Sequence, residues 1–259
     1  GGLEVAHVDD DDRMLELKRK IGQGKAYGTR VELISAREAK ERFPLLNEES
    51  IQGAMWDPDA GLVVPRSQKV AADLVEEAVE SGRLKTFAYT PAIRVDHEDG
   101  QINGVETSKG YIATGKVVLS AGIWGPLVAD QLKSPLPLMP LEHPLLFFGP
   151  FDLLEGTGKD IVYPLFRDQG NSSYVRDTGD PATPEGGHME WGYYQTDNPT
   201  LVHPRDILEP EHARMSPSMR DLELEQVMHA YERAVEVTPV LGELGWEDRH
   251  SFNGLLSVT

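Results

Sequence analysis

Val117-Val118-Leu119-Ser120-Ala121-Gly122-Ile123-Trp124-Gly125-Pro126 is the stretch whose reading sets the fold class. Uncharged apolar residues run straight into a turn of small ones. That is the pattern of a strand buried on both faces, ending where backbone must come close to a ligand. Glycine and alanine there leave room that a larger side chain would fill. Open α/β sheets take ligands beyond the carboxyl ends of their strands. The stretch therefore predicts a strand returning to a central sheet, with a cofactor edge at residues 120–122.

Immediately upstream lies a β-meander. Residues 93–97 and 101–107 flank Asp99-Gly100, a strong hairpin signal, and a third strand is expected near Tyr111. Before the meander, Ser67 is placed to cap a helix with Val70, Ala71, Leu74, Val75 and Ala78 inward, ended by Gly82. Downstream, residues 126–132 read as a short helix. Residues 133–144, with four prolines among leucines, read as an extended crossing between two lobes. Strands are expected at 145–149, 161–166, 173–176 and 189–194, forming a mostly antiparallel sheet. Ser216-Pro217 reads as the start of a long helix with Leu224, Val227, Met228, Tyr231 and Val235 inward, followed by a strand at 252–259.

The first 65 residues follow the same logic. Leu3 and Val5 alternate in a short strand. Asp9 to Asp12 then precede a helix with Met14, Leu17 and Ile21 on one face, acids being favoured at the positive end of the helix dipole. A strand at 31–34 leads into Ser35 and Glu38 in capping-box spacing, and another strand covers 51–56.

Composition excludes several classes. The net charge of −18 argues against a nucleic-acid partner. No apolar run approaches the roughly 20 residues of a membrane helix. Cysteine is absent, which removes disulfides, thiolate nucleophiles and zinc ribbons. The first residue is glycine and the last residues read as a strand cut short, so the chain is expected to be an internal piece of a longer protein.

Motif searches yield little from spacing alone. Gly22-Gln23-Gly24-Lys25-Ala26-Tyr27-Gly28 has Tyr27 where a GxGxxG fingerprint needs glycine, so it reads as a helix end rather than a phosphate loop. His7, His97, His143, His188, His203, His212, His229 and His250 form no HxH or HExxH arrangement, and no metal site is expected. His143, in Pro140-Leu141-Glu142-His143-Pro144, stands at the start of a strand entering the second lobe. It reads either as a pocket residue or as a hydrogen-bonded interior histidine. Tyr174 reads as a packed aromatic or a reacting group, and Trp124 as a ligand wall or a helix anchor. No Gly-x-Ser-x-Gly elbow is present.

Taken together, Gly1-Gly2-Leu3-Glu4-Val5-Ala6, Phe43-Pro44-Leu45-Leu46, the Asp99-Gly100 meander, Ala121-Gly122-Ile123-Trp124-Gly125, Pro137-Leu138-Met139-Pro140-Leu141-Glu142-His143 and Phe252-Asn253-Gly254 resemble the FAD-dependent amine oxidoreductases of the D-amino-acid-oxidase (DAO) superfamily. The contexts of His143 and of Tyr174-Val175-Arg176 resemble one branch: dimethylglycine oxidase and the dimethylglycine and sarcosine dehydrogenases.

The resemblance implies an α/β (α+β) fold with two parts. One is a partial FAD/NAD(P)-binding Rossmann-like lobe at residues 66–134. The other is a DAO-like substrate lobe with a large mixed, mainly antiparallel sheet, built from residues 1–65 and 135–259. It implies FAD as hydride acceptor and a small N-methyl amino acid, dimethylglycine or sarcosine, as donor. The hydride leaves the N-methyl carbon, giving an iminium, and water or tetrahydrofolate takes the one-carbon unit. His143 and Tyr174 match the family's active-site histidine and tyrosine. Ala92, Ser120, Ala121, Gly122 and Trp124 would line or back the cofactor. The family's GxGxxG and flavin-linking histidine are expected upstream of Gly1, leaving the chain alone inactive. An electron-transfer partner or oxygen would reoxidise the flavin. The location would be cytoplasmic, or the mitochondrial matrix in a eukaryote. Pro144 departs from relatives that carry a polar residue there, which bears on substrate identity. Two other readings are a flavin-free binding or scaffold module and a related glycine- or proline-type oxidase.

Overall fold

The computed structural model describes residues 1–64, 67–183, 186–209, 212–213, 216–246 and 251–259. His250, and Arg66 at the expected start of the flavin lobe, lie outside the described residues. The chain divides into two compact units. The first comprises 1–65, 143–199 and 219–254; the second comprises 66–142, 200–218 and 255–259.

The first unit begins with β1 (Gly2–His7) and α1 (Asp11–Ala26). Asp10 caps α1 by accepting from the Arg13 amide at 2.8 Å, and Asp11 and Asp12 sit in its first turn. Met14, Leu17 and Ile21 are its buried stripe. β2 (Glu32–Ile34) precedes α2 (Ala36–Arg42), whose Ser35–Glu38 capping box is fully formed. β3 (Ile51–Asp57) pairs antiparallel with both β1 and β2.

The second unit carries α3 (Ser67–Glu80) and a separate meander of β4 (Ala92–Glu98), β5 (Gln101–Thr107) and β6 (Gly110–Ala113). Asp99 and Gly100 both adopt positive φ, 47° and 76°, as a two-residue hairpin turn of the right twist demands. α4 (Gly125–Gln131) follows a single 3-10 turn at Gly122–Trp124. Ile123 joins Val202, Ile207 and Leu255 in this unit's small buried cluster.

β7 (Met139–Phe148) and β12 (Phe252–Val258) each contain a boundary between units. β8 (Leu165–Asp168), β9 (Ser173–Asp177), β10 (Met189–Tyr193) and β11 (Met219–Arg220) complete a nine-stranded sheet, ordered β11-β12-β7-β10-β9-β8-β1-β3-β2. The β1–β8 pair is parallel, whereas β9 pairs antiparallel with both β8 and β10. α5 (Met228–Val237) and α6 (Val240–Glu243) follow β11.

Register divides the sheet into two faces. Leu3, Val5, Phe166, Val175, Trp191, Leu146 and Phe148 lie on one, where they meet Phe43, Leu46, Val227, Ala234 and Leu241 in the main core. The opposite face carries Glu4, Arg167, Tyr174, Arg176, Glu190 and Gly192. α1 covers this second face over β1 and β3, where Lys20 pairs with Glu4 at 2.6 Å and Met14 and Leu17 pack on Ala6.

Several expectations fail for identifiable reasons. Residues 117–121 form no strand, and Val118 is 89% exposed. A parallel strand exists only through its neighbours, and among the described residues none pairs with this segment. The apolar side of α3 is likewise not inward: no described residue of α3 is buried, and Leu74 is 62% exposed. The strand expected at 161–166 begins only at Leu165, because the amides of Val162 and Tyr163 donate to the Asp177 carboxylate at 2.8 Å each. The extended crossing already becomes strand β7 at Met139, which puts His143 in mid-strand. The helix expected from Ser216 starts at Met228, because Met219 and Arg220 pair instead with Gly254 and Asn253.

Within the first unit, His7 and Asp168 form a buried pair, Nε2 to Oδ1 at 2.8 Å, and Asp168 Oδ1 also accepts from the Asn171 backbone amide at 3.1 Å. The Asp168 hydrogen bond raises the His7 pKa above its ordinary 6.5, with burial opposing and the Asp168 charge assisting. A raised folded-state value means the bond's contribution is complete below the unfolded-state value and is lost as pH rises through the folded one. His7→Gln is expected to cost roughly 1–3 kcal/mol. The gap in thermal midpoint between wild type and variant should be widest below about pH 6.5 and narrow as pH rises; a gap that widens with pH would refute the assignment.

No described helix is long and apolar enough to cross a membrane. Among the described residues, no group of three or more His, Cys, Asp and Glu side chains is placed to hold a metal ion.

Candidate active site

β7, β9 and β10 bring three rings together on the second face of the large sheet. Tyr174 projects from β9 and His143 from β7, with β10 between them. Their side chains meet across that strand: His143 Nε2 and the Tyr174 hydroxyl lie 3.0 Å apart. The meeting requires an absent side chain. Gly192 of β10 lies directly opposite Tyr174, and a β-carbon at Gly192 would collide with the Cζ and hydroxyl oxygen of the phenol. Glycine therefore lets the phenol lie flat over the strand and reach the histidine. Tyr194, just past β10, closes the group, with ring centroids 4.5 Å from His143 and 5.8 Å from Tyr174.

His143 is 8% exposed. Burial lowers its pKa, and the backbone of Tyr193 offsets part of that effect. Nδ1 is buried without a hydrogen bond of good geometry; the influence of the Tyr193 carbonyl is thus that of a near neighbour. The shift favours the neutral ring. With Nδ1 protonated toward that carbonyl, Nε2 is the acceptor and the Tyr174 hydroxyl donates to it. Burial, and then the nearby charge of Glu190, push the Tyr174 pKa well up, so the phenol keeps its proton. A neutral imidazole and a protonated phenol in contact are an acceptor and a donor between which a proton can pass.

Arg176 lies two residues along β9 from Tyr174 and pairs with Glu190 of β10 at 2.6 Å, Glu190 being buried. Tyr194, Gly192 and this ion pair were not singled out from sequence. The period-2 alternation of β9 was the available signal for Arg176, since it places residues 174 and 176 on one face.

The other five expected site residues lie in the second unit. Ala92 opens β4; Ser120, Ala121 and Gly122 lead into the 3-10 turn, which ends at Trp124. Ala92, Ser120, Gly122 and Trp124 are exposed and Ala121 is half-buried. Gly122 adopts φ 52°, with open space where a side chain would stand. An exposed small-residue edge of this kind fits close approach by a flat ring or sugar-phosphate chain. α4 adjoins β4, Gln131 donating to the Ile93 carbonyl at 3.3 Å, so the two halves of the candidate edge share one unit. A shallow open cavity of about 310 Å³ on this unit, lined by Ile93, Arg94, Val95, His97, Glu106 and Gln131, includes none of the expected site residues.

Comparison with known proteins fixes the family. The family described as DAO, FAD dependent oxidoreductase, matches residues 1–257, and the chain belongs to it. It is 32% identical over 193 residues to mouse (Mus musculus) mitochondrial sarcosine dehydrogenase, covering 73% of this chain and 20% of that protein. It is 29% identical over 216 residues to the mouse mitochondrial pyruvate dehydrogenase phosphatase regulatory subunit, covering 83% and 23%. The chain thus spans less than a quarter of the length of these relatives. Among solved structures, L-proline dehydrogenase from P. horikoshii superposes with a TM-score of 0.74 at 22% identity, covering 99% of this chain and 60% of that one. That likeness is one of fold, and it agrees with a mixed α/β architecture built around a large mixed sheet.

Proposed function

We propose that this chain is part of an FAD-dependent oxidoreductase that oxidatively demethylates a small N-methyl amino acid, sarcosine or dimethylglycine. The observation that carries the reading is the His143–Tyr174 contact on the second face of the large sheet, reinforced by the likeness to sarcosine dehydrogenase. In this reading residues 1–65 and 135–259 are the substrate lobe, and residues 66–134 belong to the flavin lobe. Ala92, Ser120, Ala121 and Gly122 hold the cofactor edge, with Trp124 behind them.

FAD, when bound, supplies the acceptor for the hydride that leaves the N-methyl carbon. The chain's own residues prepare the donor. An amine in water carries a proton, and its lone pair must be freed before the C–H bond can break. The Tyr174 hydroxyl takes that proton as it passes its own to His143 Nε2. Desolvation of the rings keeps His143 neutral and ready to accept. Tyr194, its ring tilted against His143, excludes water from that flank. Water, or tetrahydrofolate held elsewhere in the whole protein, then takes the one-carbon unit. Oxygen or an electron-transfer partner completes the cycle; the location is cytoplasmic or, in a eukaryote, the mitochondrial matrix, the latter supported by the mitochondrial relatives.

Anaerobic titration of the whole protein with sarcosine and with dimethylglycine tests the reading. Bleaching of the flavin by at least one of them is expected, and an unaltered spectrum with every N-methylglycine would defeat it. A flavin-free binding or scaffold module is the second reading, to which the likeness to a phosphatase regulatory subunit lends support. Purification of the whole protein without flavin, and failure to take up added FAD, would support it.

A further inference from the structure

Asp168 ends β8 at 1% exposure, and its Oδ2 is buried without a hydrogen-bond partner. Burying a carboxylate with an unserved oxygen costs stability, so shape alone does not call for a charge here. The charge secures a joint. Asp168 Oδ1 accepts from His7 Nε2 at 2.8 Å and from the Asn171 backbone amide at 3.1 Å, tying β1 to the turn between β8 and β9. Asn171 Nδ2 donates to the Ala230 carbonyl of α5 at 2.8 Å, and an Arg13 Nη of α1 donates to the Gln169 carbonyl at 3.3 Å. Gly170 is wedged among them: a β-carbon there would stand 3.2 Å from His7 Cδ2 and 3.3 Å from Asp10 Oδ2.

The far end of the turn reaches the three rings. Ser172 adopts φ 49°, a left-handed conformation that a non-glycine residue keeps only where its surroundings impose it. Its carbonyl accepts from the Tyr194 amide at 2.8 Å, and its hydroxyl lies 2.7 Å from that of Thr196. The Tyr194 ring centroid is 4.5 Å from that of His143. Every residue in this chain of contacts belongs to the first unit.

We infer that Asp168, with His7, is a positioning residue of the candidate active site: it locks the β8–β9 turn, and the locked turn holds Tyr194 against His143. The effect on rate rests on the proposed amine-oxidising function; the placement of the ring does not. A Tyr194 ring set loose would admit water beside His143 and undo the desolvation that favours its neutral form.

Asp168→Asn is the principal variant, since it keeps an oxygen for the Asn171 amide and removes the charge that holds His7. Two readouts are taken on the whole protein. The first needs no turnover. With carbon-13-labelled histidine, the His143 Cε1–H resonance is assigned by its loss in His143→Gln. It lies under the ring current of Tyr194, and it should move in Asp168→Asn in the direction that it moves in Tyr194→Leu. The second is the rate of anaerobic flavin reduction by a saturating N-methylglycine. Asp168→Asn should lower it about 10-fold, inside the roughly 10²-fold that a misplacement of about 1 Å can cost. In a Tyr194→Leu background the same substitution should change the rate less than about 2-fold, because effects that pass through one contact do not add. Asp177→Asn controls for lost stability. It removes an equally buried carboxylate that serves the amides of Val162 and Tyr163 instead of the turn, and it should leave resonance and rate at wild-type values. If Asp168→Asn does not fold, His7→Gln carries the same comparison, with changes of the same sign. An unmoved His143 resonance in the Asp168 or His7 variant, an equal movement in Asp177→Asn, or full additivity with Tyr194→Leu would each overturn the inference. If no N-methyl amino acid reduces the flavin while the resonance still moves in Asp168→Asn and not in Asp177→Asn, it is the proposed function that fails and not the positioning.

Discussion

Replacing His143 with alanine in the flavin-loaded whole protein is expected to slow flavin reduction by an N-methyl amino acid about 10²- to 10⁴-fold, the usual contribution of a positioned acid–base group. The argument runs from burial to chemistry. His143 sits in mid-strand on β7, 8% exposed, with burial favouring its neutral form. Its Nε2 is 3.0 Å from the Tyr174 hydroxyl, and that phenol keeps its proton because burial and Glu190 oppose ionisation. Without the imidazole, Tyr174 has no acceptor for its proton and cannot take one from the substrate. Rapid-mixing absorbance at saturating substrate reads the effect directly. Tyr174→Phe should fall in the same range, and the double variant should be little worse than either single one, because the two side chains act as a unit. Equal reduction rates in wild type and His143→Ala would remove the histidine from the chemistry.

The second large effect comes from a residue with no side chain. Gly192→Val is expected to dismantle the relay without touching either member. The Tyr174 ring occupies the space that a β-carbon at position 192 would need. The phenol would have to rotate off β10, breaking its contact with His143. Overpacking of this kind costs about 1–3 kcal/mol of stability. The rate of flavin reduction should fall to that of Tyr174→Phe, while the absorbance of the bound flavin is retained. If Gly192→Val leaves the rate near wild type, then Tyr174 does not need its position across the strand, and the relay assignment fails.

Local chemistry was legible in the sequence. The Asp10–Arg13 cap of α1, the Ser35–Glu38 capping box and the Asp99-Gly100 turn each depend on residues within three positions of one another, and each forms. Features that depend on distant pairing were less so. Residues 117–121 have strand composition but find no pairing among the described residues, so their apolar side chains stay exposed. Residues 219–220 sit where helical periodicity was expected, yet they pair with β12 more than thirty positions away. The same principle governs the site. His143 and Tyr174 were singled out by the family resemblance of their local contexts, spacing alone leaving both open. Their contact across thirty-one positions is set by sheet register, and so is the need for glycine at 192. The Arg176–Glu190 pair also emerges only when β9 and β10 are aligned.

The central claim is that a buried, neutral His143 receives the substrate's proton through Tyr174. The pH dependence of anaerobic flavin reduction tests it most directly. Because burial lowers the His143 pKa, the free base persists down through the ordinary histidine value of 6.5. The reduction rate should therefore hold steady from pH 8 to about pH 6.5 and fall only below that, as the ring gains its own proton. The fall should vanish in His143→Gln, whose lower rate has no titrating base behind it. A rate that declines to the same degree in wild type and His143→Gln, or one that does not change across that range and below it in wild type, would contradict the account.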